Sequence, residues 1–345
     1  MKPRHIYWFA YYNAEEPSVR YRAIYPLKYL SDQNNTTYQL VMPGYRLWDI
    51  FQFLKVYLTV LFFRKRNSVV VYQKLHTKRI YGTLLKWLIK CRPENTLYDI
   101  DDADYLKFRP ENIRYFIRQS SHCIVGSREL GEYAAQFNNR VSVLTSPIIG
   151  HNHIKQERNK LLTIGWVGYY NAHRTSLMQL FFPALVHLGI EVKMIILGVK
   201  HPDHFAELRA YFEPIKNVSL EIPDNINWQD EEGIYQLIST FDIGIAPLLN
   251  TELNRAKSAF KLKQYLSCGV PVLGSDIGEN SLFLEHGRNG YVCNTPNEYC
   301  QYIRLINNAT DKEYTTLSVS AIDSIARFSM GNYCEQLMNV IGNLE

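Results

Sequence analysis

The chain has 345 residues, of which 46% are hydrophobic and 21% are charged, and its net charge is +5 with neutral histidines. The length suits two α/β domains, and the apolar fraction excludes a disordered chain. The mild positive charge suits a phosphorylated ligand but is too weak to predict nucleic-acid binding. The six cysteines form no CxxC pair, which predicts reduced, buried thiols and a cytoplasmic protein.

The first half alternates β-branched apolar runs with helical patterns. Strands are predicted at 5–10, 38–42, 68–73, 96–100, 122–126 and 141–144, and helices at 19–30, 48–63, 80–89, 113–119 and 128–137. Strict alternation of this kind predicts a parallel sheet with helices on both faces. Residues 1–150 are therefore predicted to form one Rossmann-like domain.

The second predicted helix is unusually apolar and aromatic. Residues 47–63 read LWDIFQFLKVYLTVLFF and are followed directly by three basic residues. Asp49 and Lys55 interrupt the run, which is about one turn short of a comfortable membrane span. Two interpretations stay open: an amphipathic helix packed on its domain, or a peripheral contact of residues 47–66 with anionic lipid at the inner membrane face.

Acidic residues follow the strand predicted at 96–100, at the strand end where ligands of parallel sheets bind. Asp101 and Asp102 are candidate catalytic carboxylates there, since a carboxylate can orient a hydroxyl group of a ligand. An acidic loop that caps the next helix is the alternative. Arg20 and Arg22 follow the first strand, and they are candidates for a ligand phosphate or for ion pairs with the aspartates.

The composition becomes polar after residue 147, and residues 151–160 are predicted to be a linker. The alternation then restarts and predicts a second Rossmann-like domain over 161–328, with a closing helix over 329–345. Its strands are predicted at 161–167, 191–197, 218–222, 242–246 and 271–274, and its helices at 175–188, 204–212, 232–240, 258–267, 298–307 and 330–343. Two such domains facing each other would leave a ligand cleft beyond their strand ends.

Two lysines near the helix predicted at 258–267 indicate an anion site. Ser258 is a candidate N-cap, and the N–H groups of the first turn stabilise an anion. Lys257 and Lys261 are one turn apart, so they are predicted to neutralise a diphosphate together. Gln264 lies one turn further and offers an amide to ribose hydroxyls. The alternatives are a solvated basic face for the lysines and a surface position for the glutamine.

A second candidate phosphate region is GWVGYYNAHR, residues 165–174, after the first strand of the second half. Gly168 permits close approach of the backbone, and the Arg174 guanidinium can bind a phosphate bidentately. The GxGxxG fingerprint is absent, so the loop does not predict a dinucleotide site. The histidines and cysteines form no grouping that predicts a metal site or a nucleophile.

Several segments resemble the nucleotide-sugar glycosyltransferases of the GT-B fold, in particular the retaining enzymes of group 1, or family 4. The matching segments are FDIGIAPL, KSAFKLKQYLSCGVPVLGSDIGEN, EHGRNGYV, GWVGYYNAHR and, more loosely, PSVRYRAIYPLKYL and YDIDDADY. The resemblance implies an α/β fold of two facing Rossmann-like domains with parallel sheets. It implies a nucleotide-diphosphate sugar as donor and a saccharide or lipid-linked acceptor, in surface polysaccharide or glycoconjugate synthesis. We expect no metal and no cofactor, because the cationic segment already supplies a phosphate site.

The resemblance also implies roles for residues of both halves. Asp101 or Asp102 would orient an acceptor hydroxyl or contact the donor sugar, and Arg20 and Arg22 would meet a phosphate of a lipid-linked acceptor. Arg174 and either Lys257 or Lys261 would hold the donor diphosphate, and Pro223 would line the base pocket. The loop at 277–280 would present backbone groups to the donor sugar. That loop contains Gly278, Glu279 and Asn280.

One departure from the family concerns its paired glutamates, which are eight positions apart. They fall here on Ala256 and Gln264, and neither is acidic. This leaves open a protein that binds a donor without transferring its sugar. A nucleotide-sugar epimerase is the other alternative, with acid and base groups supplied by the aspartates and Glu279.

Overall fold

Strands and helices alternate through most of the chain, of which a computed structural model describes residues 5–44, 46–76, 79–150 and 153–344. The strands are β1 His5–Ala10, β2 Thr37–Val41, β3 Ser68–Gln73, β4 Thr96–Ile100, β5 His122–Val125, β6 Val141–Val143, β7 Thr163–Val167, β8 Val192–Leu197, β9 Val218–Glu221, β10 Ile243–Ala246, β11 Val272–Gly274 and β12 Gly290–Val292. The α-helices are α1 Pro17–Val19, α2 Tyr25–Asn34, α3 Leu47–Phe63, α4 Ile80–Cys91, α5 Pro110–Gln119, α6 Arg128–Ala135, α7 Tyr170–Ser176, α8 Phe182–Val186, α9 Pro202–Phe212, α10 Glu231–Ser239, α11 Glu252–Arg255, α12 Phe260–Ser267, α13 Asn280–Phe283, α14 Pro296–Asn308, α15 Asp311–Ile325 and α16 Met330–Gly342. Short π-helical segments, Arg20–Ile24 and Leu177–Phe181, join α1 to α2 and α7 to α8.

The first unit comprises residues 1–147, 256–258 and 328–345. Its six strands are all parallel, in the order β2-β1-β3-β4-β5-β6. The closing helix α16 belongs to this unit because its apolar face, which includes Tyr333 and Leu337, completes the core around Trp8. The thiol of Cys334 donates to the carbonyl oxygen of Pro26 at the start of α2, 3.7 Å away.

The second unit comprises residues 148–255 and 259–327. Its six parallel strands have the order β12-β11-β10-β7-β8-β9. A core built around Trp166, Phe181 and Phe182 covers one face of this sheet. The prediction of α/β units with parallel sheets is confirmed.

Three differences from the predicted elements have physical reasons. Helix α15 escaped prediction because polar residues such as the buried Ser318 interrupt its apolar face; the Ser318 hydroxyl accepts the N–H of Lys155 at 2.8 Å. Strand β12 was not predicted because it has only three residues and starts at a glycine, yet it forms the edge of the second sheet. The helix predicted from residue 175 already begins at Tyr170.

The predicted linker at 151–160 contains structural contacts of the second unit. His151 and Asn152 lie outside the described residues. The Lys155 ammonium lies 2.8 Å from the carboxylate of Asp242, which is wholly buried at the entry to β10. The N–H of Asn159 donates to the same carboxylate. The polar composition of this segment therefore reflects the partners that a buried carboxylate requires.

Each sheet contains one point at which the strand order reverses direction. In the first unit it lies between β1 and β3, and in the second unit it lies between β7 and β10. Ligands of open parallel sheets bind beyond the strand ends at such points. The residues that follow these four strands are therefore the structural candidates for a site.

Candidate functional site

Two glycines bring the loops after β7 and β8 into contact. Gly168 has φ +150° and Gly198 has φ +106°, backbone conformations that side chains disfavour. A Cβ atom at Gly198 would lie 1.8 Å from the carbonyl oxygen of Gly168. The N–H of Tyr170 donates to the carbonyl of Gly198 at 3.2 Å. The predicted role of Gly168 in close backbone approach thus has a structural basis, and Gly198 was missed by sequence reasoning.

Lys261 of α12 lies beside this pair of loops. Its ammonium is 3.0 Å from Nε2 of His173 and 5.2 Å from the ring centroid of the buried Trp166 of β7. Its Cε atom would be 3.4 Å from a Cβ atom at Gly168. This places a cation at the switch point of the second sheet. His173 is the neighbour that sequence reasoning missed; its position five residues after Gly168 was the available signal.

The start of α12 differs from the prediction. The helix begins at Phe260, and its N-cap is Ala259 in the left-handed conformation with φ +52°. Ser258 therefore caps nothing, and its carbonyl oxygen accepts the hydroxyl of Thr145 at 3.5 Å. The prediction of Ser258 as the N-cap is wrong because the chain reverses at Ala259.

The same reversal separates the two lysines. Lys257 precedes Ala259, and its ammonium lies 3.5 Å from the Asp102 carboxylate in the first unit. The carbonyl of its neighbour Ala256 accepts the hydroxyl of Ser127 at 2.9 Å. The prediction that Lys257 and Lys261 share one helix face is therefore wrong.

Lys74 organises the acidic end of β4. It follows β3 in a left-handed conformation, and its buried ammonium lies 3.0 Å from both Asp101 and Asp102 and 3.7 Å from Asp104. Burial opposes ionisation of these groups, but Lys74 and then Lys257 hold the pKa of the Asp102 carboxyl below its usual range. The two predicted catalytic aspartates are thus brought together around a lysine that sequence reasoning missed.

Asp104 behaves differently within the same cluster. Burial, reinforced by the neighbouring carboxylates, raises the pKa of its carboxyl to about 6 despite the nearby Lys74. One ammonium therefore does not neutralise all three carboxylates equally. Asp102, whose side chain is 33% exposed, is the most accessible of the three.

Both arginines predicted to bind an acceptor have structural partners. Arg22 is wholly buried and forms a bidentate ion pair with Asp99, with a shortest distance of 2.5 Å. Arg20 is buried too, and it donates to the carbonyl oxygens of Ala14 and Glu15. Arg22 cannot reach an acceptor phosphate, so that assignment is wrong and the alternative of an aspartate pair holds. Arg20 secures the loop before α1.

Arg174 also has a protein partner. Its guanidinium forms a bidentate pair with Glu207 of α9, with a shortest distance of 2.5 Å. The hydrogen-bonded pair raises the pKa of this exposed guanidinium. The guanidinium N–H groups of Arg174 that were predicted to bind a phosphate already bind the Glu207 carboxylate. The structure therefore does not support the predicted phosphate contact.

The loop after β11 is held by side-chain and backbone contacts. The Asn280 amide donates to the carbonyl oxygens of Ala246 and Ser275, each 3.2 Å away, which ties β10 to β11. Gly278 has φ +59°, and a Cβ atom there would lie 2.7 Å from the carbonyl oxygen of Arg255. Glu279 and Asn280 are buried. Their side chains therefore support the loop, and contact of its backbone with a donor sugar stays a prediction.

Pro223 and Gln264 lie in the same unit as Lys261, and Gln264 follows it by one turn of α12. Pro223 lines an open groove on the sheet together with Leu197 and the Lys193–Glu221 ion pair. Gln264 is buried on α12, which contradicts the alternative of a surface glutamine. The base pocket and the ribose contact stay predictions.

An aromatic group lies at the switch point of the first sheet, where sequence reasoning identified no residue. The hydroxyl of Tyr12 is 2.7 Å from Nε2 of His76, and the His76 ring stacks on Phe108 with centroids 3.9 Å apart. Tyr11 lies against the same imidazole. Burial, with Lys74 next, lowers the pKa of His76 to about 4, so the ring is neutral at physiological pH.

Residues 158–308 match the sequence profile of the family described as glycosyl transferases group 1. A curated relative in Dictyostelium discoideum, "GDP-Man:Man(3)GlcNAc(2)-PP-Dol alpha-1,2-mannosyltransferase", is 27% identical over 195 residues. That alignment covers 53% of this chain and 37% of the relative's length.

Solved structures share the arrangement over nearly the whole chain. HepE of Anabaena in complex with UDP-glucose has a TM-score of 0.66 at 14% identity, with 98% of this chain and 99% of that chain covered. Sucrose-phosphate synthase of Thermosynechococcus elongatus has a TM-score of 0.68 at 10% identity, with 99% of both chains covered. A glycosyltransferase of Rickettsia africae has a TM-score of 0.68 at 11% identity. Residues 158–308 are thus similar to the group 1 glycosyl transferases, and the two parallel six-stranded sheets match the GT-B fold of these solved structures.

Proposed function

We propose that the protein transfers a sugar from a nucleotide-diphosphate donor to a hydroxyl group of a saccharide or lipid-linked acceptor. The observation that carries the proposal is that the group 1 match spans both Gly168 and Lys261, which meet at the switch point of the second sheet. The relatives' donors, a UDP-sugar and a GDP-sugar, are the first candidates. Synthesis of a surface polysaccharide or glycoconjugate is the proposed context.

The chemical step requires stabilisation of a leaving diphosphate. The bond between the anomeric carbon and the diphosphate oxygen breaks, and its electron pair stays on that oxygen. The acceptor oxygen bonds to the anomeric carbon and loses its proton. We assign Lys261 to the developing negative charge, because a preorganised cation contributes most where charge increases in the transition state.

The acceptor side is assigned to the first sheet. Asp102 is held ionised by Lys74 and Lys257, so it suits orientation of a hydroxyl better than removal of its proton. The departing diphosphate then takes that proton. Tyr12 replaces Arg20 and Arg22 as the proposed saccharide contact, because its half-buried ring offers a stacking face and a hydroxyl group that the buried His76 holds in place. Retention of the anomeric configuration is part of the proposal and follows the family resemblance.

We further propose that transfer needs neither a metal nor another cofactor. The Asp101 and Asp102 carboxylates already pair with Lys74, whose charge would compete with a cation. The free thiols, five of them buried, suit a reducing compartment such as the cytoplasm. Turnover that survives a chelator, and is lost with Lys261→Gln, is the expected result.

A donor-binding protein without transferase activity is the second candidate. Ala256 and Gln264 stand at the positions of the family's glutamates, and both are buried in this chain. Such a protein would bind a nucleoside diphosphate and leave the donor intact.

The deciding experiment measures nucleoside diphosphate released from a panel of UDP-sugars and GDP-sugars, with water and with simple glycosides as acceptors. Slow release with water, and faster release with a glycoside, is expected for a transferase. Arg174→Gln serves as the control that keeps activity. Binding of UDP or GDP without any release would favour the second candidate, and no binding of either would contradict both.

A further inference from the structure

Helix α3 carries a large apolar surface on the outside of the first unit. Eight of its 17 residues are exposed large apolar side chains, with Leu47 86%, Phe62 63% and Phe63 77% exposed. The other exposed members are Trp48, Ile50, Phe51, Leu54 and Leu58. A contiguous patch of this kind on a folded domain marks an interaction surface.

The inner face of α3 packs against the core of the first unit. Phe53 packs on Phe9 of β1 and on Tyr81 of α4, with ring centroids 6.3 and 4.8 Å apart. Val56 and Val60 are buried on the same face. Since the helix is apolar on both faces and packed on only one, its outer face is far less polar than that of a solvated surface helix, although Lys55 is exposed there.

Helix α4 extends the outer surface. Trp87 is 51% exposed and stacks beside Tyr57, and Ile80 is 82% exposed at the start of the helix. The Arg92 guanidinium donates to the carbonyl oxygen of Leu61 at 2.8 Å, so the two helices lie side by side along their length. We name the exposed residues of α3 together with Ile80 and Trp87 the apolar surface.

Basic side chains surround the apolar surface. Lys55 is exposed within α3, and Lys65 and Arg66 are exposed at its end. Arg79 and Lys90 are exposed on the neighbouring segment. Asp49 is the acidic residue within α3, and it accepts the N–H of Arg46 in the helix cap. This combination of exposed aromatic rings and flanking cations complements an anionic bilayer surface.

The length of α3 excludes a spanning role. Its 17 residues make a helix of about 25 Å, shorter than the roughly 30 Å of a hydrocarbon core. Across the described residues, no helix is both long and apolar enough to cross a membrane. We propose that the apolar surface lies in the interface of an anionic lipid bilayer and holds the protein there as a peripheral membrane protein.

The experiment is flotation of the whole protein with vesicles of phosphatidylcholine alone or with added phosphatidylglycerol, without donor or acceptor. Binding to the anionic vesicles is expected, and it is independent of whether the protein transfers sugar. Phe51→Gln with Phe62→Gln should weaken partitioning about a hundredfold, since burying each large apolar side chain is worth about tenfold. Lys65→Gln with Arg66→Gln should weaken it about fivefold per residue, with less effect at high salt.

The matched control is Leu305→Gln with Val319→Gln, which changes two exposed apolar residues of the second unit. This variant should bind vesicles like the natural protein. Circular dichroism of each variant confirms that the fold persists. Absence of vesicle binding, or equal loss in the control, would overturn the proposal. So would a concentration-dependent dimer that the Phe51 and Phe62 changes dissociate, because the surface would then belong to a second copy of the chain.

Discussion

The carboxyl edges of the two sheets differ in how their charges are used. In the first sheet, Arg22 pairs with Asp99 and Lys74 gathers three aspartates, so positive and negative groups meet within the protein. In the second sheet, Gly168 and Gly198 allow the backbones of the loops after β7 and β8 to come into contact. Lys261 lies beside these glycines and contacts His173. The first edge therefore fixes its geometry through ion pairs, and the second brings two loops into close contact beside a cation.

This contrast shows why charge alone does not identify a binding residue. Each of the arginines predicted to bind a phosphate has protein acceptors, whereas Lys261 contacts an imidazole and an indole ring. A buried ion pair with complete hydrogen bonding positions the chain around it. A cation next to glycine loops at a switch point is better placed for an anionic ligand.

The strongest test of the contrast concerns the Arg22–Asp99 pair. Arg22→Ala should lower the free energy of unfolding by about 3 to 5 kcal/mol, because it leaves the Asp99 carboxylate buried without its partner. Urea denaturation measures this loss. Lys193→Ala is the control, since it breaks the half-exposed pair with Glu221 and should cost no more than about 1 kcal/mol. A similar loss in both variants would remove the distinction between buried and surface pairs.

The second test uses the pH dependence of stability. Burial raises the pKa of Asp104 to about 6 from 3.8, so the folded protein holds this proton more tightly than the unfolded chain. The stabilising contribution is therefore full below about pH 4 and is lost as the pH rises through about 6. Asp104→Asn should gain up to about 3 kcal/mol over the natural protein between about pH 4 and about pH 8.

Urea denaturation of both proteins across this pH range isolates the contribution of Asp104, since the other titrating groups are common to both. The exposed Asp224→Asn is the control and should leave the pH dependence unchanged. A constant difference between Asp104→Asn and the natural protein at every pH would contradict the assignment.

The third test separates Lys261 from Arg174. Lys261→Gln should weaken UDP or GDP binding about tenfold to a hundredfold, as expected for loss of a charge-assisted hydrogen bond. Arg174→Gln should change it little, because Glu207 already occupies that guanidinium. Calorimetric titration measures both, and thermal unfolding should be alike in the two variants. Stronger weakening in Arg174→Gln would reverse the proposed donor assignment.

The smallest effect concerns the corrected helix start. Ser258→Ala should change the free energy of unfolding by less than about 0.5 kcal/mol, because that hydroxyl caps nothing. Ser127→Ala should cost about 1 kcal/mol or more, since the Ser127 hydroxyl accepts the N–H of Leu130 and donates to Ala256. Equal costs would indicate that Ser258 does act as a cap.

Most strands could be predicted because each is a short run of apolar and aromatic residues in the sequence. Residues 68–73 and 96–100 match β3 and β4 at both ends, since uninterrupted apolar and aromatic runs bounded by polar residues leave little ambiguity. Helix α15 could not be predicted in this way. Its buried Ser318 is satisfied by Lys155, which lies 163 positions earlier in the sequence.

The site was predictable only where its residues are close in sequence. Gly168 and the segment around Lys261 were found from local patterns. Tyr12 contacts His76 only because β1 pairs with β3. Arg174 and Glu207 are 33 positions apart in the sequence, so no local pattern links them. The start of α12 could not be predicted from capping preferences, because Ala259 adopts a left-handed conformation that glycine usually adopts.

The near-contact of Gly198 with the carbonyl of Gly168 restricts how this protein can diversify. Any side chain at position 198 would force apart the loops after β7 and β8, so we expect Gly198 not to tolerate substitution. If the proposed donor site is right, a change in preferred nucleotide would have to arise from surrounding positions such as Pro223. Saturation mutagenesis should therefore show that substitutions at these two glycines are not tolerated, whereas many substitutions at the surrounding positions are.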